Sequence, residues 1–191
     1  MIIRKNSFVF EIENLLIIVL ISFFVSVKIK LFLTSYFVCY LFIIFHELAH
    51  ILVATLFNKK ILKMKLSLAG ACVTIDKKRL NKGKELLIYF AGPISNFCLA
   101  LIFKNVDMVF EINIFLGILN LMPVYPLDGY NIMSLLLKSE NIYVIQTIFL
   151  WCIYIISIVI FILTKNPSLF IFSVYIFVIN HVAKSGQNGY I

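Results

Sequence analysis

Two histidines four residues apart, with a glutamate beside the first, form the segment best equipped for chemistry: His46-Glu47-Leu48-Ala49-His50. On a helix, positions i and i+4 share a face, so both imidazoles can reach one ion. Catalytic zinc sites commonly take three protein ligands and leave one position open. A carboxylate beside such a site can take a proton from water, and Glu47 is placed for that base role. The chain has only three histidines, and two of them fall in this motif.

The third ligand should be another acid or imidazole at similar depth. Apart from Glu47 the acids are Glu11, Glu13, Asp76, Glu85, Asp107, Glu111, Asp128 and Glu140. Most sit at the ends of apolar runs or in a polar loop. Asp128 alone lies inside an apolar segment, Asn120-Leu-Met-Pro-Val-Tyr-Pro-Leu-Asp128-Gly129. Pro123 and Pro126 interrupt helical hydrogen bonding there, and Gly129 permits unusual backbone angles. The alternative role for Asp128 is to cap a helix that begins after the prolines.

The elements that hold these residues follow from composition. Hydrophobic residues make up 62% of the 191-residue chain, charged residues 14%, and mean hydropathy is +1.04. A soluble domain carries about a quarter charged residues, so this chain reads as an all-α polytopic membrane protein. A spanning helix needs about 20 apolar residues. Six runs approach that length: 15–27, 31–57 with the HExxH motif, 86–103, one from 112 broken by Pro123, Pro126 and Gly129, 142–163, and 169–182. Ionisable groups in mid-membrane cost roughly 2.5–3.5 kcal/mol each on insertion scales and mark function. That favours a functional His46, Glu47 and His50 over mere pairing with neighbouring helices.

Six crossings put both termini on one side. With the N-terminus inside, thirteen Lys/Arg fall inside, and four (Lys28, Lys30, Lys104 and Lys165) fall outside. The bias predicts cytoplasmic termini in a cell membrane, expected to be bacterial, and it accounts for the net charge of +8 without nucleic acid. Glu11 and Glu13 precede the first run and no small-residue cleavage site follows it, so the first helix is expected to be retained. Between the second and third runs, Leu62, Met64, Leu66 and Leu68 alternate with Lys63, Lys65 and Ser67. Gly70 offers a turn, and residues 72–75 a returning strand. A small β-hairpin on the membrane face is expected there, within a single membrane domain over 1–191. Cys39, Cys72, Cys98 and Cys152 form no CxxC pair, so no cysteine metal site is indicated.

These motifs resemble the site-2 proteases, intramembrane zinc metalloproteases with HExxH on one transmembrane helix and N-x-x-P-x-x-P-L-D-G on a later one. Asn120, Pro123, Pro126, Asp128 and Gly129 match the second motif, and Gly92-Pro93-Ile-Ser-Asn96 is similar to the family's G-P-x-x-N element. The resemblance implies one Zn2+ per chain held by His46, His50 and Asp128, with Glu47 as general base. It implies that Asn96 and Asn120 line the site and hold substrate or the oxyanion. The resemblance further implies a membrane-associated protein as substrate and regulatory membrane proteins as partners. Gly92-Pro93 is expected to kink its helix, and His181 to be interfacial. The layout without a PDZ insertion looks most like the stage IV sporulation protein FB group, whose members cleave a precursor of a sporulation sigma factor. The chain departs from that group at Tyr130, where the family often has a second glycine, and no CBS domain is expected after the last run.

Three other readings make different demands. A prenyl-protein or heat-shock type membrane metalloprotease would need a glutamate ligand, Glu111 or Glu140. An inactive scaffold would be expected to have lost a ligand or Glu47. A metal-binding transporter should carry further mid-membrane polar groups.

Overall fold

The computed structural model describes residues 2–5, 8–12, 30–67, 70–76, 80–165 and 168–187. The expected first helix, 15–27, lies outside the described residues. Two compact units divide the chain, Met1–Ile118 and Leu119–Ile191.

The first unit contains β1 (Ile2–Lys5), β2 (Phe8–Ile12), α1 (Lys30–Leu56), β3 (Ile61–Ser67), β4 (Gly70–Ile75), α2 (Lys82–Ile102) and most of α3 (Asp107–Asn120). The hairpin expected between the second and third apolar runs is β3–β4, antiparallel, with Met64 opposite Val73. It is half of a larger sheet. The N-terminal strands extend it to four in the order β1-β2-β3-β4, with β2 parallel to β3 and Glu11 in register with Lys65. The parallel pair joins β1 and β2 to the hairpin that follows α1.

α1 and α2 pack against each other through matching i+4 stripes. On α1 the buried positions include Phe42, His46, His50 and Ala54; on α2 they are Ile88, Gly92, Asn96 and Ala100, with Pro93 beside them. Ala54 and Ala100 are fully enclosed. Small residues let helix backbones approach closely, which is how helices associate where lipid removes the hydrophobic drive. Gly117 brings α3 onto α2, since a Cβ there would press on the Phe97 ring at 2.8 Å. Asn81 caps α2 by accepting the Lys84 N–H at 2.9 Å.

The second unit holds α4 (Asp128–Leu136), α5 (Ser139–Thr164) and α6 (Ser168–Gln187). α5 and α6 are joined by a Ser157–Ser173 hydroxyl contact at 2.8 Å and by Gln146 donating to Asn180. Such bonds tie helices together inside a bilayer.

Three described helices are long and apolar enough to cross a membrane: Tyr36–Leu56, Lys82–Ile102 and Ser139–Thr164. Their outward faces carry large apolar side chains such as Leu52, Leu101, Trp151 and Ile155, as lipid contact requires. The expected count of six is not reached among the described residues. The fourth run is not one span. The Pro123–Pro126 segment divides it into α3, with 14 residues, and α4, with 9, each below the roughly 20 needed to cross.

Candidate metal centre

His46 and His50 lie on the face of α1 that meets α2, and both are buried. Their side chains stop there against Gly92: a Cβ at that position would overlap Nε2 of both rings. Glycine is therefore the residue that leaves room for the two imidazoles between the helices. Gly92→Ala is expected to push the rings apart and weaken zinc binding roughly ten- to a hundredfold, the scale seen when groups around a metal ligand are disturbed. Chelator competition on the purified variant measures it, and wild-type affinity would refute this role of the glycine.

The far nitrogens fix the state of each ring. His50 Nδ1 lies 2.7 Å from the main-chain carbonyl of Ile88. A carbonyl can only accept, so His50 Nδ1 carries a proton and donates it, which leaves Nε2 as the atom to ligate a metal. Pro93, which lacks an N–H and crowds the carbonyl of Tyr89, sits one turn further along α2. His46 Nδ1 lies 2.6 Å from Asn96 Oδ1. That oxygen also only accepts, so His46 likewise presents an unprotonated Nε2.

The two Nε2 atoms face each other at 3.1 Å. At that separation both nitrogens can reach one cation. The rings meet nearly perpendicular, at 79°. Two neutral imidazoles, each holding its second nitrogen on a carbonyl-type acceptor, are the arrangement by which metal-ligating histidines are oriented. On this chemistry the residues fit zinc.

Glu47 is half-buried on the same turn of α1 as His46. Asp128, also half-buried, is the first residue of α4, where a carboxylate suits the positive end of the helix. Gly129 lets that helix begin close to the preceding turn, because a Cβ there would strike the carbonyls of Leu121 and Met122. Asn180 steadies the same turn by donating to the Tyr125 carbonyl at 2.6 Å. Of the three ligands expected from the sequence, His46 and His50 belong to the first unit and Asp128 to the second. The rival glutamates, Glu111 and Glu140, are exposed.

The two asparagines singled out from the sequence differ. Asn96 is fully buried, accepts from His46, and donates from Nδ2 to Asn113 Oδ1 at 3.1 Å. Its amide therefore orients a histidine from behind. Asn120 is half-buried at the C-terminal end of α3. Sequence reasoning missed Asn113, which is fully buried. A lone amide between Ile112 and Ile114 in an apolar run was the available signal.

Residues 35–109 match the model of Peptidase family M50. A curated zinc metalloprotease of Methanocaldococcus jannaschii is 32% identical over 119 residues, covering 55% of this chain. The chain spans about a third (34%) of that relative's length. Among solved structures, a site-2 protease from Methanocaldococcus jannaschii superposes with a TM-score of 0.62 at 22% identity, over 93% of this chain and 92% of that one, which is a likeness of fold. The part that matches the family model, residues 35–109, contains His46, Glu47, His50 and Asn96, while Asp128 lies beyond it.

Proposed function

We propose that the protein is an intramembrane zinc metalloprotease that cleaves a peptide bond in or near a transmembrane segment of a membrane-associated protein. The observation that carries this reading is the pair of histidine Nε2 atoms at 3.1 Å, buried on a helix that also carries Glu47. His46, His50 and Asp128 would hold one zinc ion, which when bound supplies Lewis acidity to the scissile carbonyl and to water.

This chain's own residues do the remainder. Asn96 and the Ile88 carbonyl keep both rings in the ligating tautomer. Glu47 takes the proton of the attacking water and returns it to the leaving nitrogen. Asn120 is the candidate to steady substrate. A helical substrate hides its carbonyls in its own hydrogen bonds, so it must unwind locally before attack. Among the described residues the four-stranded sheet ends in the edge strands β1 and β4, and a sheet edge can take an extended peptide as an added strand. A regulatory precursor of the sigma-factor kind is the substrate type that the sporulation-group resemblance favours. The test mixes purified protein in detergent with candidate membrane proteins. A fragment that appears only with zinc supports the reading, and none across candidates that accumulate in cells lacking the protein refutes it.

For the orientation, we infer cytoplasmic termini. The placement of β1 and β2 in one sheet with β3 supports a shared side for the N-terminus and the hairpin. Reporter fusions should put residues 58–84 and the C-terminus in the cytoplasm and 104–111 outside. An impermeant thiol reagent that labels Cys72 in intact cells would reverse the orientation.

A further inference from the structure

We propose that Asn113 is a positioning residue for the metal centre, fixing through Asn96 which nitrogen of His46 carries the proton. The inference rests on the zinc site proposed above.

A buried chain of amides runs from α3 to α1. Its far end is unambiguous: Asn113 lies 2.9 Å from the main-chain carbonyl of Val109, one turn back on α3. A carbonyl only accepts, so the Asn113 group facing it is the NH2. That points Asn113 Oδ1 at Asn96, 3.1 Å away, and obliges Asn96 to present its own NH2 there. Asn96 Oδ1 then faces His46 Nδ1 at 2.6 Å and takes its proton, which leaves the His46 Nε2 lone pair for the metal.

Each link is directional, so the whole chain has one polarity. An isolated Asn96 could turn its amide over. Its NH2 would then meet His46 Nδ1, the ring proton would move to Nε2, and the histidine could not ligate. Asn113 removes that alternative. His50 needs no such device, because the Ile88 carbonyl holds its Nδ1 proton directly. Both ligand tautomers are thus set by a main-chain carbonyl: one in a single step, the other through two side-chain amides. Asn96 and Asn113 are both fully buried, which keeps water from supplying a competing partner.

The test uses the full chain in detergent. In Asn113→Leu, zinc affinity by chelator competition is expected to fall about tenfold, the lower end for outer partners of a ligand. Nitrogen NMR of labelled histidine, with zinc removed, should show the His46 proton shifting from Nδ1 toward Nε2, which a purely structural role for Asn113 would not produce. Asn113→Asp keeps an acceptor oxygen for the Asn96 NH2 and should retain most of the affinity. Adding Asn113→Leu to Asn96→Leu should weaken zinc binding no further than Asn96→Leu alone, since the two act as one unit. Should the leucine variant not fold, Asn113→Ala removes the same amide without added bulk. Unchanged zinc affinity and an unmoved His46 proton in a folded Asn113 variant would overturn the proposal and leave the protease reading standing. A wild type that binds no zinc would overturn both.

Discussion

Glu47→Gln is expected to lower turnover by at least about a hundredfold, the usual scale of a general acid–base contribution, while zinc stays bound. The substitution keeps the side-chain shape and one hydrogen-bonding oxygen but cannot take a proton. Glu47 sits half-buried beside His46, and the ring orientations of His46 and His50 depend on Asn96 and Ile88 instead. Removing its basicity should leave the metal centre assembled. The assay follows a zinc-dependent fragment of a membrane protein substrate, with zinc occupancy measured on the same preparation. A Glu47→Gln protein that supports full biological function would show that cleavage is not its role, and would favour a scaffold or a metal carrier.

The second large effect concerns the ligands. Purified wild type should hold about one zinc per chain. In His46→Ala, His50→Ala and Asp128→Ala the occupancy should fall toward none after dialysis against a weak chelator, because each would remove one of the three proposed protein ligands. Glu111→Ala and Glu140→Ala should keep it, as both side chains are exposed. Metal analysis of the five proteins decides the matter. Full occupancy in Asp128→Ala, with loss in Glu111→Ala or Glu140→Ala, would hand the site to a glutamate-ligand metalloprotease of the prenyl-protein or heat-shock type.

Much of the site was legible in the sequence because its elements are local. The i, i+4 spacing of His46 and His50 is a property of any helix, and the apolar run around them made a helix the only economical choice in a membrane. The polar alternation of 62–67 gave the β3–β4 hairpin for the same local reason. Pro123 and Pro126 announced a break, and α3 does end and α4 begin on either side of them.

What tertiary structure decided is whatever depends on partners distant in the chain. The pairing of Val9 with Lys63 makes a four-stranded sheet from what reads locally as a hairpin and an N-terminal flank. Nothing in Gly92 alone says that it faces two histidines more than forty positions away. Asn96 matched a family element, yet its bonds to His46 and Asn113 emerge only when α1, α2 and α3 are packed. The sequence by itself determined the chemistry available, since residue type and helical spacing settle which donors can share an ion. The packed helices determined the protonation pattern: a ring nitrogen keeps or yields its proton according to the acceptor opposite, and those acceptors, Ile88 O and Asn96 Oδ1, come from another helix.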